Sequence, residues 1–198
     1  MTGTAPRPHV ANIDFPAFYA PAFANDEDRA REFYEEITNR TAKIILHQAA
    51  RMLWLSDRVD EVSRGRPALR ILFFAIAAEA VAKLTDGFEG EGKSRAYVQH
   101  IFREICSDEH RSLLGRAFQS SAGQWLSPLD AVDFLYDVRC DVAHRGQYYD
   151  LNLPRPEVGE TELFTSSAGD SLIAHLTASQ LRQIVLEGAV LAARRLNP

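Results

Sequence analysis

The 198-residue sequence predicts an all-α fold, an antiparallel helical bundle interrupted near its C-terminus by a small β-hairpin insert. Three observations carry that reading. Apolar residues recur at helical spacing through most of residues 25–145 and again from 177 onward. Helix-start signals of the Ser/Thr and Pro type stand before several of these runs, and the periodicity fails over about 147–176. With 46% hydrophobic residues, the chain suffices for one sizeable core and is too short for two ordinary domains. A single helical domain over 25–198 is therefore expected, preceded by an N-terminal arm at 1–24.

The arm holds Pro6, Pro8, Pro16 and Pro21 among Phe15, Phe18, Tyr19 and Phe23, a pattern that suits an extended segment pinned by aromatics. Asn25 with Asp28 resembles a capping box, and Phe33, Ile37, Ile44, Ile45, Met52, Leu55, Val59 and Val62 continue as one long helix ending near Gly65. Pro67 fits the first turn of a second helix, apolar almost all round from Leu69 to Leu84 and stopped at Gly87. Such a helix belongs at the centre. Its internal acid, Glu79, needs a partner or an edge position, because an unpaired buried carboxylate is unfavourable. Beyond a Gly-rich loop, helical patterns cover about 94–106 and 108–119, with Asp108 as a cap between them. Ser127 as N-cap, Pro128 at the first position and Asp130 reaching back start a helix that should run to about His144. ELFTSSAGDSLIAHL reads as a hairpin with Ala168-Gly169 near its turn, and Thr177 with Gln180 caps a last helix.

The formal charge of −5 argues against bulk electrostatic coating of nucleic acid or anionic membrane, while leaving room for a local basic site. The N-terminal residues lack the apolar core of a signal peptide, and no stretch reaches the length of a membrane span, so a cytoplasmic protein with no membrane contact is expected. Two cysteines, Cys106 and Cys140, read as reduced thiols.

The stretch VRCDVAHRG, residues 138–146, concentrates the chemistry. Leu135, Val138 and Val142 define a buried stripe with Arg139 on its flank, while Asp137, Cys140 and His144 share a polar opposite face. At the helix end, the dipole and Asp141 should favour the charged form of His144. Arg139, Arg145 and His144 together would suit a phosphodiester: Arg supplies a fork to phosphate oxygens, and His moves a proton. The bland alternative is a helix tail with cations placed for the dipole.

The Arg139-x4-His144 spacing resembles the signature of the HEPN superfamily, all-helical domains of which many are metal-independent endoribonucleases in toxin, phage-defence and RNA-processing systems. ILFFAIAAEAVAKL with Glu79, and the segment ending in Arg95 before the Arg-x4-His helix, follow that family's order, so the resemblance covers residues 30–145 and extends to the final helix. It implies a cleft between two protomers of a homodimer in which the ribose 2′-hydroxyl of RNA attacks the adjacent phosphate. Arg139 would stabilise the transition-state charge and His144 would transfer a proton. Asp141 and Glu79 would support them, and Arg145, Tyr148 and Arg95 are candidates for contacting RNA. No metal or cofactor is implied, and a toxin setting implies an antidote or other protein partner. A non-catalytic module binding RNA, a nucleotide or a protein in the same cleft is the alternative. Cys140 departs from the small polar residue common after the Arg.

Two other motifs compete. Gly87 to Ser94 satisfies G-x4-G-K-[ST], but a phosphate loop needs a strand before it, and the residues before Gly87 read as helix. Cys106/His110 and Cys140/His144 form two C-x3-H pairs that a zinc ion could join, against the commoner reading of core thiols.

Overall fold

The computed structural model describes residues 13–62, 67–87, 90, 92–146, 153–154, 162–165 and 171–198. Helices dominate. α1 (Phe15–Tyr19) runs into a 3-10 turn (Ala20–Phe23), followed by α2 (Glu27–Glu36), α3 (Arg40–Val62), α4 (Pro67–Asp86) and α5 (Ser94–His100). α6 (Asp108–Leu114), α7 (Pro128–Cys140) and α8 (Ala178–Leu196) complete the bundle. Two π-turns extend helices: Ile101–Ile105 follows α5 and Asp141–Arg145 follows α7.

α4 is the central helix, as its nearly all-round apolar pattern requires. Ile71, Phe74, Ala77, Ala78, Val81 and Ala82 are buried, and α3, α7 and α8 pack around it. α3 turns Ala42, Ile45, Leu46, Ala49, Ala50 and Leu53 inward. The two antiparallel partners are tied near one end by Arg70 and Asp57, 3.7 Å apart, with Arg182 of α8 on the same carboxylate at 2.9 Å. At the other end of α3, the Asn197 side chain accepts hydrogen bonds from the Thr38 and Asn39 backbone N–H groups at 2.8 and 3.1 Å. Asn39 returns one to the Leu196 carbonyl at 2.8 Å.

Residues 15–23, expected to be extended, are helical and belong to the main core: Tyr19 and Phe23 are buried, and the Tyr19 hydroxyl donates to the Leu46 carbonyl at 2.7 Å. Pro16 and Pro21 sit in the first turns of their elements, where a missing N–H is harmless. The single long helix expected from Asn25 is two, because Ile37 adopts extended backbone and Asn39 restarts the chain by accepting from the Thr41 and Ala42 N–H groups. The cap of α2 is Asp26, and that of α6 is Ser107 rather than Asp108.

The hairpin is present as β2 (Glu162–Thr165) and β3 (Ser171–Ala174), with Leu163 opposite Ile173. A third strand joins it: β1 (Phe118–Ser120) pairs antiparallel with β3, giving the order β1-β3-β2. Residues 115–119, expected to be helical, form a turn and the start of this strand. α6 stops at Gly115, and Phe118, fully buried against Phe134 at 4.8 Å, is worth more in the sheet than in another exposed turn. The expected turn at Ala168-Gly169 lies outside the described residues.

Candidate functional site

α7 starts as its sequence demands. The Ser127 hydroxyl accepts from the Asp130 N–H at 3.2 Å and donates to its carboxylate at 2.6 Å, with Pro128 in the first turn. Ala131, Val132, Leu135 and Val142 are buried against the core, which places Arg139 on the flank, its side chain 18% exposed.

Across from it, Glu79 on α4 is buried. One carboxylate oxygen accepts from Lys83 Nζ at 2.6 Å and Ser94 Oγ at 2.7 Å, and the other faces Arg139 Nη2 at 3.7 Å. Burial pushes its carboxyl up, but the bonds from Lys83 and Ser94 and the charges of Lys83 and Arg139 outweigh that and hold it below the ordinary range. The expectation that Glu79 needs a partner is met three times over.

Arg139 is uncommitted by comparison. At 3.7 Å from Glu79 it is an ion pair without a hydrogen bond, its guanidinium lies 5.6 Å from the Tyr136 ring centre, and its buried Nε has no hydrogen-bond partner. Tyr136 also carries the guanidinium of Arg95 at 4.9 Å. Burial and neighbouring Cys140 push the Tyr136 phenol up. Arg95 thus joins the site, but it is held there by Asp137 and by Asp133, the latter at 3.4 Å.

His144 stands in the π-turn, exposed. Asp141 pairs with Arg145 at 3.2 Å, so both residues are engaged with each other. In a regular α-helix, five residues would set Arg139 and His144 about 140° apart around the axis. The i→i+5 bonding of the π-turn, closed by the Gly146 N–H on the Asp141 carbonyl, lessens the rotation per residue over Asp141–Arg145 and so narrows that angle. Gly146, at φ 64°, ends the element in the left-handed region. Tyr148 lies outside the described residues.

Tyr136, Lys83 and Ser94 were not singled out from sequence, although Glu79/Lys83 and Tyr136/Cys140 carry the i, i+4 spacing that puts side chains together. Ser94 belongs to the phosphate-loop look-alike, yet helix α4 precedes that loop and the Ser94 hydroxyl is spent on Glu79. Among the described residues, no group of three His, Cys, Asp or Glu side chains is placed to hold a metal ion. Of the two C-x3-H pairs, Cys106 is buried with its thiol pushed up to about 12, mainly by that burial, and His110 Nε2 pairs with Glu187 at 2.7 Å.

No family model, no curated protein and no solved structure matches the chain. No described helix is long and apolar enough to cross a membrane.

Proposed function

We propose that the chain is a HEPN-like endoribonuclease that cuts RNA without a metal ion, in a toxin or phage-defence setting, with Arg139 and His144 as the working pair. The observation that carries this reading is Arg139: a half-buried guanidinium, steered by Glu79 and Tyr136, with its hydrogen-bonding fork unspent and His144 one π-turn further on. A phosphodiester oxygen is the partner such a fork suits. In the reaction, the ribose 2′-oxygen bonds to the adjacent phosphorus while its proton leaves to a base. The bond to the 5′-oxygen breaks, that oxygen takes up a proton, and a 2′,3′-cyclic phosphate remains. His144 serves one of the two proton transfers and Arg139 neutralises the charge that builds on the phosphoryl oxygens. A homodimer would place both in a cleft shared by two copies.

A second reading is a non-catalytic module that uses the same face to bind RNA, a nucleotide or a protein. It draws on the exposure of His144, which no described side chain orients, whereas a proton-transfer group is ordinarily held by a third residue. Incubation with mixed RNA in EDTA, comparing the natural chain with Arg139→Ala and His144→Ala, separates the two. Cleavage lost in both variants is expected. Cleavage unchanged in both removes the site, and RNA binding with no cleavage by the natural chain supports the module.

A further inference from the structure

From Arg40 to Arg58, one face of α3 is rich in basic residues. At 3.6 residues per turn, Arg40, Lys43, His47, Arg51, Trp54 and Arg58 fall within an arc of about 80°, opposite the apolar residues that face the core. No acid lies on that face between Arg40 and Arg58, in a chain whose net charge is −5. The first four of these residues, with Ile44 and Gln48, line an open concavity of about 420 Å³. Among the described residues, no carboxylate lies within ion-pairing distance of Arg40, Lys43 or Arg51. Lys43 rests instead over the Tyr34 ring at 5.3 Å.

We propose that this face of α3 is a track for the phosphate backbone of a single-stranded nucleic acid. The spacing favours a strand over a lone anion: Arg40, Lys43, His47 and Arg51 rise in steps of about 4.5, 6 and 6 Å along the helix axis, so three cations and a neutral hydrogen-bonding imidazole form a row some 16 Å long. The site works through side chains, because the Asn39 side chain and carbonyl already take the N–H groups of Thr41, Ala42 and Lys43. His47, bonded to the Tyr34 hydroxyl at 2.8 Å, registers the unneutralised field: burial, then Arg51 and Lys43, hold its imidazole below the ordinary value. At the far end, half-buried Trp54 with the Arg58 guanidinium 5.3 Å from its ring centre offers the aromatic element on which a base stacks. An anionic membrane fits less well, since a membrane-lying helix inserts its apolar face and that of α3 is fully used in the core.

The track does not depend on cleavage at Arg139 and His144, and the test keeps the two apart by using DNA, which lacks the 2′-hydroxyl. Binding of a labelled oligothymidylate is followed by anisotropy across a salt series. The triple variant Arg40→Gln, Lys43→Gln, Arg51→Gln, with unchanged circular dichroism, should bind at least about tenfold more weakly near 0.1 M salt, and its log–log salt slope should flatten by about 2, at roughly 0.7 per phosphate contact. Arg29→Gln with Arg103→Gln, exposed cations away from α3, should leave this binding intact. Equal binding by the triple variant, equal loss in the Arg29/Arg103 variant, competition by inorganic phosphate at equal total phosphate, or binding to anionic vesicles with none to the oligonucleotide would each overturn the proposal.

Discussion

Arg139 Nη2 stands 3.7 Å from Glu79 Oε2, so the central helix and the Arg-x4-His helix meet through a pair of opposite charges at the edge of the core. The pair is unequal. Glu79 is satisfied by Lys83 and Ser94, while Arg139 leans on it without a hydrogen bond. Removing the acid takes the acceptor from Lys83 and Ser94 and the counter-charge from Arg139, whereas removing the base breaks no hydrogen bond. Glu79→Ala is expected to lower stability by about 2–3 kcal/mol in urea unfolding, and Glu79→Gln by about 1, since an amide oxygen still accepts from Ser94.

His144 gives the complementary result. It is exposed, so His144→Ala should change stability by no more than about 0.5 kcal/mol. On the cleavage reading, the same variant loses on the order of 10²- to 10⁴-fold in rate. Stability and RNA cleavage measured on one preparation show whether this position is spent on chemistry.

Acid should loosen the fold through two carboxyls. Glu187 is held below its ordinary value of 4.5, first by the hydrogen bond from His110 and then by Gln183, against an upward push from burial; Glu79 is also lowered. Each is a stronger acid folded than unfolded, so its contribution is complete above about pH 4.5 and is lost as the pH falls through the lower, folded value. Urea midpoints should drop in that window, and a variant with Glu79→Gln and Glu187→Gln should show a flatter acid limb.

The two thiols should differ in reactivity. Cys106 is buried and its thiol is pushed up to about 12, whereas Cys140 is half-buried on α7. Alkylation with iodoacetamide near pH 8 should label Cys140 first, with Cys106 reacting only as the protein unfolds. Equal labelling of both in the folded state would contradict the placement of Cys106.

Much of this was legible beforehand. The caps at Ser127 and Thr177, the central apolar helix, the hairpin and the pairing of Glu79 all follow from residue types at fixed spacings. What escaped depended on contacts distant in sequence or on backbone register. Phe118 is a strand residue only because β3 arrives from more than fifty positions away. Residues 15–23 coil because Tyr19 finds a buried carbonyl acceptor on α3, and the prolines tolerate it. The π-turn at Asp141–Arg145 alters the helical register there, and no residue type announces it. The cationic face of α3 is a three- and four-residue rhythm of Arg, Lys and His that shares its period with the apolar stripe on the opposite side, so apolar periodicity alone does not reveal it.

The paired asparagines at the start of α3 and the end of α8 also bear on how the chain reaches this state. Asn39 and Asn197 are 158 positions apart, so the hydrogen bonds from Asn39 to the Asn197 side chain and the Leu196 carbonyl close nearly the whole chain into a loop. Such a closure carries a large entropic penalty until the intervening helices have packed, whereas α3 and α4 can meet as neighbours. The clasp should therefore form after the folding transition state and act on the rate of opening, making it a latch on kinetic persistence more than a seed of folding.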